Sequence, residues 1–169
     1  MDRVALAKTA DELSRLLQQV NARVDYTLAR ESKAVNSAAP LDKELTELSS
    51  FAQQQKGRVE GLIRERASEL SLGAIQPFVP ARNAEAETIV VRRKRMGTIT
   101  LDDLGRDERE GFPAASFWGV PVSALYWCDG KRTLAEVIRL TELEMGPQTM
   151  DFVAYFKFLE KRGYVEFVK

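Results

Sequence analysis

Through the first 72 residues, leucine and valine recur at spacings that only a helix turns into a single face. Leu6, Leu13, Leu17, Val20, Val24 and Leu28 are separated by three, four or seven residues. Asn36, Ser37 and Pro40 then interrupt the pattern, and Pro40 suits the first turn of a new helix, where its missing N–H is not needed. Leu41, Leu45, Leu48, Ala52, Gln55, Val59, Leu62 and Arg66 follow in alternating steps of four and three, a heptad seam with two polar positions. Two such stripes with a short break predict an antiparallel helical hairpin closed by Gly73 as its C-terminal cap. A hairpin has one seam, so it must pack on something else: the rest of the chain, a partner, or a second copy.

Residues 74–110 change character. AIQPFVPARNAEAE has two prolines and little apolar periodicity, which reads as a linker. Ile89, Val90 and Val91 before a basic run, and Ile99 and Leu101 after Gly97, offer one or two strands. Gly105–Gly111 is a polar surface loop.

From residue 111 onward a compact domain is expected. Ser123–Asp129 is a short helix stopped by Gly130. Thr133 with Glu136 three residues on is a capping-box signature for LAEVIRLTELEM, which Gly146-Pro147 ends. Thr149 or Asp151 caps a third helix, whose Phe152, Tyr155, Phe156 and Leu159 form a broad apolar face. Gly163 stops it, and YVEFV alternates as a strand. Three helices and a terminal strand follow the order of a winged helix. The expected fold is therefore mainly α with a small β component: a long antiparallel helical hairpin over 1–73, a linker with one or two strands over 74–110, and a winged-helix-like domain over 111–169.

Composition narrows the chemistry. The 169 residues contain no histidine. That removes Ser-His-Asp and Cys-His nucleophile chemistry and the usual catalytic zinc sites. No phosphate-cradling glycine loop is present to support lysine or backbone chemistry. Lysine plus arginine equals aspartate plus glutamate at 25 each, and the balance holds in every segment: 11 of each over 1–80, 7 over 81–110 and 7 over 111–169. A nucleic-acid binder usually shows a domain with a strong positive excess. No run approaches the roughly 18 apolar residues needed to span a bilayer. MDRVALAKTADEL lacks the apolar core of a secretory signal, so a cytoplasmic location is expected. The single cysteine, Cys128, has no internal disulfide partner.

VPVSALYWCDGKRTLAEVIRLTELEMG, with FVAYFKFLEKRGYVEF after it, resembles the C-terminal winged-helix extension of some bacterial di-zinc aminopeptidase-like proteins. The resemblance covers residues 96–169 and is strongest at Trp127, Asp129–Arg132 and Tyr155–Phe156. It implies a non-catalytic region, with the helical pair lying between a catalytic core and the extension. The His/Asp/Glu zinc set of those peptidases has no histidine here to receive it, so no catalytic residue carries over. A second likeness is to small winged domains that capture the leader peptides of modified natural products, through Cys128–Thr133 with Ala135–Glu136. It implies that an extended peptide adds to a sheet edge. The N-terminal hairpin is not part of that pattern.

The remaining candidates each have a plain reading beside the functional one. Arg92, Arg93, Lys94 and Arg95 are the one basic run; they contact phosphate or form a solvated surface offset by Glu85, Glu87, Asp102 and Asp103. With Lys157, Lys161 and Arg162 of the last helix they make up the expected interaction surface. That helix also carries Asp151 and Glu160 and has no Asn or Gln to pair with adenine, which argues against DNA reading. Cys128 is expected to be buried and structural. Asp102 and Asp103, adjacent on a strand, would point to opposite faces. Trp118 and Trp127 flank the Gly119–Pro121 turn as core anchors, and Trp127, Tyr155 and Phe156 are the fold-critical positions. The expectation is a non-catalytic protein-interaction or regulatory module without metal or cofactor, bound to a protein partner or to the rest of a larger chain. Self-association through the hairpin is open; a membrane partner is not expected. The alternatives are a DNA-binding winged-helix regulator, a peptide-capture domain and a carboxylate-based enzyme.

Overall fold

The computed structural model describes residues 2–38, 42–97, 99, 101–113 and 119–168. Helices take up 62% of the described residues and strands 9%, which makes the fold mainly α with a small β component. The chain divides into two compact units, Met1–Pro80 and Ala81–Lys169.

In the first unit, α1 (Asp2–Leu6) precedes two long helices, α2 (Ala10–Ala38) and α3 (Asp42–Glu69). The stripe that starts at Leu6 is broken where one continuous helix is expected. Thr9 forms a capping box with Glu12: the Glu12 amide donates to Thr9 Oγ1 at 3.2 Å, and the Lys8 and Thr9 amides donate to Glu12 Oε2 at 2.7 and 3.2 Å. Leu6, stranded before that cap, is 73% exposed. Asn36 and Ser37 do not interrupt α2 but lie inside it. Pro40, Leu41 and Trp118, singled out above, lie outside the described residues.

α2 and α3 run antiparallel. Lys56 pairs with Asp25, and Leu13 packs with Ile63 and Ala67. The register of the seam differs from the expected one in its second half. Ala52, Ile63 and Ala67 are buried, whereas Gln55, Leu62 and Arg66 are only half-buried. Four-residue steps from Val59 to Ile63 to Ala67 replace the strict heptad, because an uncoiled helix drifts away from a seven-residue repeat. The cap of α3 is also not Gly73. Ser71 takes the left-handed conformation at φ 53°, the Leu72 amide reaches back to Ala67 O, and the Ser71 amide reaches Ser68 O. These two bonds make a Schellman motif, and Leu72 packs on the same cluster as Ala67, which offsets the cost of a non-glycine residue there.

The second unit begins well before residue 111. α4 (Ala84–Thr88) is capped by Asn83, whose Oδ1 accepts from the Ala86 amide at 3.1 Å. β1 (Val90–Arg93) follows directly. Ala86, Val91 and Leu101 are buried in this unit's core, so 84–104 is structural here rather than a linker. One strand forms before Gly97; Ile99 and Leu101 are not in a strand, and Leu101 sits at φ 61°.

α5 (Val120–Trp127) starts earlier than Ser123 because Pro121 opens its first turn. Asp129, expected to end the helix from Ser123, instead opens β2 (Asp129–Thr133), whose Thr133 also caps α6 (Leu134–Met145) by accepting from the Glu136 amide at 3.3 Å. Asp151 caps α7 (Phe152–Lys161), and its Oδ1 accepts from the Ala154 amide at 2.9 Å. Gly163, at φ 73°, ends α7 in a second Schellman motif, with Tyr164 N–H on Leu159 O. β3 (Val165–Val168) completes an antiparallel sheet in the order β2-β1-β3. The earliest strand is therefore the central one. Val91, Leu125, Leu134, Val137, Phe156, Leu159 and Val165 fill the core between sheet and helices.

Candidate functional site

The sheet has two unlike faces. Val91, Val165 and Phe167 point to the helices and pack in the core. Arg92 and Glu166 stand opposite each other on the other face and form an ion pair at 3.0 Å. Alternation sends Arg93 to the core side, where its guanidinium lies 5.2 Å from the Tyr126 ring centroid and donates to Gly97 O at 2.7 Å. Arg93 Nε is buried with no hydrogen-bond partner among the described residues.

The basic run is thus split by the strand and does not gather into one patch. Arg95 pairs with Asp103 and lies over the Tyr164 ring, and Tyr164 Oη donates to the same carboxylate. These hydrogen bonds, from Tyr164 and then from Arg95, hold the Asp103 carboxyl below its usual range. Burial and the adjacent Asp103 push the Tyr164 hydroxyl up to about 12. Lys157 pairs with Glu85, and Arg162 lies 3.8 Å from Glu108 and over Phe158. Lys94 and Lys161 are exposed. Among the seven cations expected to form an interaction surface, Arg92, Arg95, Lys157 and Arg162 each face a carboxylate.

Of the fold-critical residues, Phe156 is 0% and Tyr155 3% exposed, and the two rings meet edge to face at 5.2 Å. Burial raises the Tyr155 hydroxyl. Trp127 is half-buried at the core margin, with Arg132 at 5.3 Å from its ring. Cys128 is buried, its Sγ–H donates to Ala124 O at 3.3 Å, and burial pushes its thiol up to about 12. A thiol so held is a poor nucleophile.

Next to it, Asp129 Oδ1 accepts from the Lys131 and Arg132 amides at 2.9 and 3.0 Å. Gly130, at φ 76°, brings β2 so close to β1 that a Cβ there would lie 2.6 Å from Arg92 Nε. A bulge results: the five residues of β2 from Asp129 to Thr133 lie against the three of β1 from Arg92 to Val90. The Asp-Gly pair therefore builds the bulged edge of the sheet.

A shallow cavity of about 380 Å³ is lined by Asn83, Ile138, Glu142, Gln148, Asp151 and Phe152, among others. Its polar groups are already used: Asn83 and Asp151 cap helices, and Glu142 Oε1 accepts from the Gln148 amide at 3.3 Å. Glu12, Asp103 and Asp129, the carboxyls whose acidity is clearly shifted, all move down rather than up. Among the described residues no group of three His, Cys, Asp or Glu is placed to hold a metal ion. No described helix is long and apolar enough to cross a membrane.

What the fold leaves open is the outer edge of β3. The Lys94 amide donates to Tyr164 O, and Arg92↔Glu166 and Val90↔Val168 keep the same parity, so those residues direct their backbone groups at β1. The N–H and C=O groups of Val165 and Phe167 consequently point away from β1; Val165 is only 2% exposed, so it is at the half-buried Phe167 that this edge meets solvent. β3 is terminal in the sheet, and among the described residues no strand pairs with that side. Sequence reading found the strand from its alternation, but its place at the edge depends on β1 taking the centre. Comparison with protein-family models, curated proteins and solved structures finds no match to this chain.

Proposed function

We propose that the chain is a non-catalytic protein-interaction or regulatory module whose second unit meets its partner at the edge of β3. The observation that carries this reading is the outward-facing backbone of the half-buried Phe167 on a terminal strand. Such an edge offers hydrogen bonds in register to an extended segment of another protein, while side chains beside it select the sequence. Peptide capture is the form of partner binding this edge favours. The satisfied polar groups of that shallow cavity and the downward-shifted carboxyls support a role without catalysis. The carboxylates facing Arg92, Arg95, Lys157 and Arg162 count against duplex DNA as partner.

The resemblance to the extension of di-zinc aminopeptidase-like proteins makes a larger peptidase-like chain, in the cytoplasm of a bacterium, the context we infer. Replacing Phe167 with proline removes one outward N–H, and because that group makes no bond within the sheet, the fold should persist. Affinity purification from source cells with the native and Phe167→Pro chains should give a protein partner with the first and lose it with the second. An equal partner yield from both would sink the edge assignment. An immunoblot of the same cells tests the parent: a band far above 19.0 kDa supports it, and a band at 19.0 kDa removes it.

A further inference from the structure

Among the described residues of the second unit, three cations are half-buried: Arg93, Arg132 and Arg162. Arg132 faces Asp129 at 2.7 Å, and Arg162 faces Glu108 at 3.8 Å. Arg93 faces no carboxylate among the described residues, although its Nε is buried and makes no hydrogen bond. A guanidinium withdrawn from water without a counter-charge is destabilising, and an arriving anion offsets that cost.

The surroundings of Arg93 hold no anion for it. Cys128 and Tyr155 are the titratable groups within its electrostatic reach on the core side. Burial pushes the Cys128 thiol up to about 12 and raises the Tyr155 hydroxyl, so both are neutral. Asp103 is held by Arg95 and Tyr164, and Asp129 by Arg132 and two backbone amides. Lys94, next in the chain, is exposed and adds a second positive charge.

The guanidinium is also fixed in position. It lies over the Tyr126 ring at 5.2 Å, and its Nη2 donates to Gly97 O at 2.7 Å, which folds 94–97 back against it. Its other amino group, Nη1, has no partner among the described residues. Tyr126 is 66% exposed, and Met96 within the folded-back loop is 89% exposed. Arginine, tyrosine and methionine are the residue types enriched where proteins meet. A small free anion would leave the ring and the thioether wet, whereas a protein segment covers them.

We propose that Arg93, Tyr126 and Met96 form a docking surface, independent of the outer edge of β3, for an acidic segment of a partner protein. A glutamate or aspartate of that segment accepts from Arg93 Nη1, a charge-assisted bond, while an apolar neighbour covers Tyr126 and Met96. Lys94 strengthens the attraction during approach.

Magnetic resonance titration of the isotope-labelled full chain tests the surface. The probe is a blocked peptide of alternating glutamate and leucine, beside the same peptide with glutamine for glutamate. The expected result is saturable shifts of the Arg93 Nε–H and Tyr126 signals, with the glutamine peptide at least ~10-fold weaker. Arg93→Gln should weaken the glutamate peptide by a similar factor, with circular dichroism reporting the fold. Tyr126→Ala removes an exposed ring, so the fold should persist while binding falls at least ~5-fold. Phe167→Pro should bind this peptide as the native chain does. Absence of shifts, equal binding of the two peptides, or an Arg93→Gln chain that binds like the native one overturns the surface. Binding lost in Phe167→Pro but kept in Tyr126→Ala would place the peptide on the β3 edge and overturn it as well. Acetate that displaces the peptide at equal concentration would overturn the protein segment as occupant.

Discussion

The two units solve the burial problem differently. The second unit closes a core between a three-stranded sheet and four helices, with Phe156, Leu134, Val137 and Ala124 each fully buried. The first has two helices and therefore one seam, and only where α1 and the 70–76 segment add a third layer do Leu13 and Ile63 disappear from solvent. A pair of helices leaves two sides of its seam wet, whereas a sheet covered by helices leaves one face of one layer. Burial is thus complete in the first unit at one end and in the second throughout, so equivalent truncations should differ in cost.

The largest expected effect is in the second core. Phe156→Ala should lose ~3–5 kcal/mol, because the ring is fully buried and the surrounding rings cannot collapse into the space. Hydrogen exchange on this variant should show protection lost at Val91, Leu134, Val137 and Leu159 and retained near Leu13 and Ile63. Unchanged melting would remove Phe156 from the core. Ile63→Ala comes next, at ~2–4 kcal/mol, since its site borders the half-covered part of the seam and can relax. Phe51→Ala, at a ring 58% exposed, should fall within ~0.5 kcal/mol. Were the two hairpin variants to cost the same, the unequal burial along the hairpin would be wrong.

Backbone variants sharpen the contrast further. Gly130→Ala combines a positive φ with a Cβ 2.6 Å from Arg92 Nε and 3.2 Å from its Cβ, and should cost ~1–2 kcal/mol or more. Chemical denaturation would read it, and a neutral result would show that the close approach of β1 and β2 is not tight. Asp151→Ala and Thr9→Ala each remove a cap and should cost ~1 kcal/mol apiece.

The smallest effect is pH-dependent. The Lys8 and Thr9 amides hold the Glu12 carboxyl below its ordinary value, as Tyr164 and Arg95 do for Asp103. A depressed folded value means the stabilisation is present above the unfolded carboxyl range and is lost as pH falls through the folded value. Acid titration of the native chain should show that loss. Glu12→Gln should flatten the part arising in the first unit, and Asp103→Asn the part arising in the second. Identical acid profiles for both variants and the native chain would contradict these assignments.

Much of this was legible in the residues. Apolar spacing placed α2, α3, α6 and α7, and Thr133, Asp151, Gly146 and Gly163 marked their ends because caps are local chemistry between neighbours in the chain. The aromatic face of α7 also followed from period alone, and Tyr155 and Phe156 are buried as expected. α4 went unread although Asn83 supplied its cap, since five residues are too few to establish a period. The Thr9–Glu12 capping box was likewise present in the sequence and was overridden by the longer stripe from Leu6.

Other features depended on distant partners. Val90–Arg93 becomes the central strand only because Asp129–Thr133 and Val165–Val168 come to lie on either side of it, and that pairing turns the presumed linker into core. The same pairing sends Arg93 inward and Arg92 outward onto Glu166, which dispersed the basic run. It also leaves the backbone of Val165 and Phe167 as the outer edge. Ser71 rather than Gly73 ends α3 because Leu72 must reach the seam, a requirement set by packing. Local hydrogen bonds and apolar period are written along the chain, so the sequence by itself determined the helices and most of their caps. Which strand is central, which edge is open and which cations are paired were decided by the tertiary structure, because each depends on residues brought together from far apart in the chain.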